Sequence, residues 1–117
     1  MKDNIILNKT KIFSLAVIEI YKQLQGQKEY ILSSQLLRSA TSIGANTREA
    51  IAGQSKKDFY SKICIAFKEA YETAYWLDLI EESHIAEVDV SNLQQQCEEI
   101  TKILGKIKIS TENSIDS

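Results

Sequence analysis

Apolar residues recur at three- and four-residue steps along almost the whole chain, the period of a helix that buries one face. Ile12, Phe13, Ala16, Val17, Ile20, Tyr21 and Leu24 form the first such stripe, which predicts a helix from about Asn8 to Gln25 capped by Asn8 or Thr10 and ended by Gly26. A second helix is predicted after Ser33 or Ser34 as cap, running to about Ala52 on Leu36, Leu37, Ala40, Ile43, Gly44, Ala50 and Ile51. Its centre, Ser39 to Asn46, is almost entirely small side chains. Small residues let a second helix approach closely, and the helix-propensity cost of Gly44, about 1 kcal/mol relative to alanine, suggests a tight packing contact there.

Gly53-Gln54 interrupts the pattern. Ser55 then caps a third helix to about Glu82, with Asp58 in its positive first turn and a length of about 40 Å at 1.5 Å per residue. Phe59, Ile63, Ala66, Phe67, Ala70, Ala74, Leu77 and Ile80 are its core stripe, flanked by Tyr75 and Trp76. After a turn at residues 83–89, with Asp89 or Ser91 as cap, Leu93, Cys97, Ile100, Ile103, Leu104 and Ile107 mark a fourth helix. No strand-like alternation and no internal repeat is found. Four amphipathic helices joined by short turns predict an all-α, antiparallel up-and-down four-helix bundle over residues 1–109, with a disordered polar tail at 110–117.

Composition agrees with this picture. The chain has no proline, the residue least tolerated inside helices. The two cysteines, Cys64 and Cys97, fall within apolar helical stretches and share no metal-ligand spacing. With no N-terminal signal segment and no run of about 20 apolar residues, a soluble cytoplasmic protein that does not enter the membrane is expected. The net charge of −2 is unevenly spread: residues 1–62 carry ten Lys/Arg and five Asp/Glu, residues 63–117 four and eleven. Such asymmetry suits binding of a polyanion or head-to-tail assembly, provided that the fold keeps the two signs apart.

Candidate chemistry is sparse. A di-metal bundle needs Glu-x-x-His pairs on facing helices, whereas His84 is the one histidine and lies in a turn, so no metal, cofactor or small-molecule substrate is expected. Glu69 and Glu72 share a helix face, either as an acid–base or cation-binding pair or as partners of Arg38 or Arg48; no partner nucleophile accompanies them, and no catalytic residue is assigned. Arg48, Lys56, Lys57 and Lys62 bracket the junction of the second and third helices, with Tyr60 among them. They read as a phosphate-contacting patch with a stacking side chain, or as a solvated charged surface. Tyr71, Tyr75 and Trp76 are a stacking platform or, alternatively, core and interface anchors.

The run Ser34-Gln35-Leu36-Leu37-Arg38-Ser39-Ala40-Thr41-Ser42-Ile43-Gly44-Ala45-Asn46 resembles a motif of bacterial four-helix-bundle proteins encoded within intervening sequences of 23S ribosomal RNA genes. The likeness continues through Arg48-Glu49-Ala50, Ser55-Lys56-Lys57-Asp58-Phe59, Ile65-Ala66-Phe67-Lys68-Glu69-Ala70 and Glu72-Thr73-Ala74-Tyr75-Trp76-Leu77. That family is similar in turn to the accessory variability protein of diversity-generating retroelements, which works with a reverse transcriptase and binds nucleic acid. The resemblance implies an up-and-down bundle assembled as a homopentameric ring without established enzymatic activity. Within it, Arg38, Asn46, Glu49, Glu69, Glu72 and Trp76 are expected to form an oligomer interface or a structural polar network, with Arg38 paired to Glu69 or Glu72. The function expected is that of a non-enzymatic scaffold binding RNA or DNA through Arg48, Lys56, Lys57 and Lys62. The alternative is a protein-binding or structural oligomer with no nucleic-acid role.

Overall fold

Apart from Ser39, which is buried as well, the buried positions of the last three helices step by three and four residues in turn: Ser33, Leu36, Ala40, Ile43, Thr47 and Ala50, then Ile63, Ala66, Ala70, Thr73, Leu77 and Ile80, then Leu93, Cys97, Ile100 and Leu104, with Val90 just before the last helix continuing its series. This average step of 3.5 residues is the spacing with which helices wrap around one another at shallow angles. In the computed structural model, which describes residues 2–116, the result is four helices: α1 (Lys2–Gly26), α2 (Ile31–Ile51), α3 (Lys56–Ser83) and α4 (Ser91–Asp116). Each packs on its sequence neighbour and α4 closes back on α1, in a rod of 50 × 22 × 22 Å. Among the described residues, no helix is long and apolar enough to cross a membrane.

Hydroxyls on the buried stripe return their hydrogens to the backbone one turn earlier. Thr10 donates to Ile6 O at 2.8 Å, Thr47 to Ile43 O at 2.8 Å and Thr73 to Glu69 O at 2.7 Å. These side chains therefore enter the core without an unmade hydrogen bond. The Thr73 hydroxyl oxygen also lies 2.8 Å from that of Ser39, joining α3 to α2 at the small-residue stretch. Cys97 donates to Ala70 O at 3.4 Å, and burial pushes its thiol up to about 11. It behaves as a small core residue that links α4 to α3.

Helix limits depart from the sequence expectations in four places. α1 starts at Lys2 rather than near Asn8, and Thr10 lies inside it with its hydroxyl turned back on the helix, so neither is the cap. α1 also includes Gly26, as its last residue. The left-handed residue that ends it is Lys28, with φ 66°, and the amide of Glu29 reaches Leu24 O at 2.9 Å in a Schellman closure. α2 begins before Ser33 and Ser34, whose hydroxyls point back to Glu29 O and Tyr30 O. Its capping group is the Glu29 carboxylate, which accepts the amides of Ile31, Leu32 and Ser33. Finally, the chain does not leave the bundle at Ser110. α4 continues to Asp116 because its last turns find partners on α3.

The other two caps follow expectation. Ser55 accepts the Asp58 amide at 3.1 Å. Asp89 accepts the amide and hydroxyl of Ser91 at 2.9 and 2.7 Å, and these hydrogen bonds hold its carboxyl below the usual aspartate value. The two turns at the same end of the rod are joined. The Gln27 side-chain amide donates to Glu87 O at 2.8 Å and accepts the Glu87 amide at 2.7 Å.

Gly44 faces α1, but a methyl group there would lie 3.5 Å from Thr10 Cβ and Oγ1 and 3.7 Å from Ser14 Oγ, which is ordinary contact. The approach of α1 does not require glycine. Gly44→Ala is therefore expected to stabilise the bundle by about 0.5–1 kcal/mol through helix propensity, read as a higher urea midpoint. A lower midpoint would mean that something other than Thr10 and Ser14 occupies this face.

Candidate nucleic-acid interface

An antiparallel bundle sorts charge by helix end rather than by sequence half. The α2–α3 turn, the start of α1 and the end of α4 lie at one end of the rod, and the other two turns lie at the opposite end. The half that holds the α2–α3 turn comprises residues 5–13, 42–69 and 104–115, with nine Lys/Arg against four Asp/Glu. The other half, residues 14–41 and 70–103, has four against ten. The bundle thus carries +5 at one end and −6 at the other over residues 5–115. At such separations the two fields do not cancel at the tips, and the basic tip attracts polyanions.

The four cations expected to contact phosphate all lie in this basic half, though not as one patch. Arg48, exposed on α2, lines a groove of about 470 Å³ between α1 and α2 together with Lys11, Thr10, Ser14, Thr41, Gly44 and Ala45. Lys62 is drawn to Glu49, with 3.0 Å between Nζ and Oε1. Lys56 donates to Ser114 Oγ at 2.7 Å. Lys57 shares a hollow of about 240 Å³ with Tyr60, Glu112 and Ile115. Tyr60 donates to Glu112 Oε2 at 3.2 Å. Contact with the Cys64 thiol is the main cause that pushes the Tyr60 phenol up to about 12, with desolvation and the Glu112 carboxylate adding to it, so the phenol remains a donor at neutral pH.

Lys11, Lys106 and Lys108 belong to the same basic half and escaped the sequence reading, because their proximity follows from antiparallel register rather than from sequence spacing. Lys108 lies 3.9 Å from Glu112 and 6.0 Å from the Phe67 ring centre.

The second set of expected residues divides in two. Arg38 pairs with both carboxylates, reaching Glu69 at 3.5 Å and Glu72 more closely, while its Nε donates to Gln35 at 3.1 Å. The Trp76 indole donates to the same Glu72 oxygen at 2.9 Å. Within one chain these four residues tie α2 to α3 and leave the carboxylates committed to Arg38. Asn46 takes no part, since its amide donates to Ser42 O and Oγ at 2.9 and 3.0 Å on its own helix. Glu49 sits apart with Lys62. Tyr75 stacks obliquely on Trp76, with 5.3 Å between ring centres, yet Tyr75 and Tyr71 remain more than half exposed. Among the described residues, no group of three or more His, Cys, Asp or Glu side chains is placed to hold a metal ion.

Comparison with known proteins places this architecture. The crystal structure of a protein with unknown function from the S23 ribosomal protein family of Bacteroides thetaiotaomicron is 44% identical and superposes with a TM-score of 0.86, covering 92% of this chain and 98% of that one. No curated protein matches. The family model for the 23S rRNA-intervening sequence protein matches residues 2–106, from α1 into the second half of α4. The chain therefore belongs to the 23S rRNA-intervening sequence protein family.

Proposed function

We propose that this protein is a non-catalytic homo-oligomeric scaffold that binds RNA or DNA at the basic end of its bundle. The observation that supports this reading most directly is the gathering of nine Lys/Arg against four Asp/Glu in the half around the α2–α3 turn. Phosphates replace counterions there, with Lys56 and Lys57 at the tip and Arg48 and Lys11 along the adjoining groove. Repetition of the basic end in an oligomer multiplies a modest contact by avidity.

The expected result is binding of structured RNA, duplex DNA or single strands, read by fluorescence anisotropy, that weakens steeply with salt. Lys56→Glu/Lys57→Glu is expected to weaken it by about tenfold or more at low salt and to lower the salt slope by about two. Salt-independent binding, or binding indifferent to both substitutions, would falsify the assignment of this end.

The assembly we propose is a homopentamer, five copies of the 13.3 kDa chain. It is supported by apolar side chains left open on two different faces: Ile5, Ile12 and Leu15 on α1, and Tyr71 and Tyr75 on α3. Two unlike patches on each copy suit a head-to-tail contact that closes into a ring. Static light scattering tests it, and a monomer at micromolar concentration excludes it. The same open faces support a second reading, a protein-binding oligomer without a nucleic-acid role. That reading gains if no nucleic acid binds at low salt while the oligomer persists.

A further inference from the structure

The α4 turns beyond the family-matched residues 2–106 lie directly on the basic tip. Lys56 and Lys57 occupy the first turn of α3, where the helix dipole is positive and disfavours further cations. The end of α4 supplies what those lysines lack. Ser114 Oγ accepts from Lys56 at 2.7 Å, Glu112 accepts from Tyr60 at 3.2 Å, and Ile115 closes the hollow that holds Lys57. The negative dipole end of α4 sits beside them. These are the same favours that a phosphate backbone would offer.

The attachment is also weak. Ile107 is the last α4 side chain packed against the core; Ile109 is 61% exposed, and the contacts that follow, apart from the half-buried Ile115, are polar and near solvent. Such terminal turns open at a small fraction of the global unfolding cost.

From this we infer that the last two turns of α4 are a built-in cover over Lys56, Lys57 and Tyr60, displaced when the phosphate backbone of a nucleic acid binds. The inference rests on the nucleic-acid reading above and adds to it a competitor within the chain. Closed chains do not bind at this point, so the apparent affinity is lowered by the fraction that is open.

The test uses the full chain with Glu112→Ala/Ser114→Ala, two exposed positions whose substitution removes the acceptors of Tyr60 and Lys56 but not the cations. The probe is an RNA duplex of about 20 base pairs at low salt, and the expected gain in affinity is about threefold to tenfold. Glu49→Gln removes a negative charge from the same end without touching the cover and serves as the charge control. Hydrogen exchange supplies the second readout: amides of residues 111–115 in the wild-type chain are expected to lose protection when RNA binds. If the wild type binds RNA but the double variant gains no more than Glu49→Gln, or those amides stay protected, the cover is overturned while the nucleic-acid reading stands. If neither chain binds, the nucleic-acid reading itself is lost and the cover with it.

Discussion

Phe13→Ala is expected to destabilise the bundle by about 3–5 kcal/mol, whereas Ile12→Ala, one residue away, is expected to change stability by less than about 0.5 kcal/mol. Phe13 is fully buried and Ile12 is 61% exposed. The alanine at position 13 leaves a ring-sized void among α1 and its neighbours, and close-packed interiors refill such voids only in part. Against a typical total of about 5–15 kcal/mol, that loss is a large share. Ile12 belongs with Ile5 and Leu15 to the open stripe of α1, so its truncation touches the surface proposed to meet a neighbouring copy. Urea denaturation reads the first effect. Light scattering on Ile12→Ala reads the second, as a shift toward smaller assemblies with stability retained. Equal destabilisation by the two substitutions would mean that the α1 stripe faces inward at position 12 as well.

That pair also shows what the sequence could and could not convey. Helical period was legible throughout, and so were the four helices, the Ser55 cap and most of the core. The period defines a stripe, however, not its edge. Ile12 and Phe13 stand 100° apart on a helix, and only the directions of α2 and α4 decide which of them is covered. Glu29 escaped because the cap was sought among the hydroxyl residues Ser33 and Ser34. A glutamate one residue before the N-cap reaches the free amides by its longer side chain instead. The helical end of α4 escaped because Thr111 to Ser114 are polar. What orders them is Lys56 and Tyr60, more than fifty residues away in sequence.

The candidate site was legible in its members and illegible in its arrangement. Arg48, Lys56, Lys57 and Lys62 were recognised as a local cluster, yet Glu49 answers Lys62 and Glu112 stands beside Lys57. Conversely, the basic half gains Lys11, Lys106 and Lys108 from the two outer helices, which antiparallel register brings to the same end. Charge imbalance between the halves of the sequence becomes imbalance between the ends of the rod because the residues at both sides of the α2–α3 turn fold back together. The carboxylates Glu69 and Glu72, open to an acid–base reading in the sequence, are held by Arg38 and Trp76 and act as a strut between α2 and α3.

Glu29→Ala is expected to cost about 2–3 kcal/mol, a large effect for a residue outside the apolar core. The residue is nine-tenths buried, and its carboxylate accepts three backbone amides, from Ile31 at 3.0 Å, Leu32 at 2.8 Å and Ser33 at 2.7 Å. Alanine leaves all three without that partner at the positive end of α2, and the Ser33 amide is buried there. Glu29→Gln keeps one oxygen for Ile31 and Leu32 but turns an NH2 group toward the Ser33 amide, so about half the loss is expected. The checks are urea unfolding of both variants and hydrogen exchange at residues 31–33, which should lose protection in the order Gln, then Ala. Equal stability of all three chains would remove Glu29 as the cap. Because this turn lies at the acidic end of the rod, neither substitution should alter nucleic-acid binding by the folded fraction. A Glu29 variant that folds yet binds differently would mean that the two ends are coupled through the bundle, and the basic end could then no longer be treated as a separate surface.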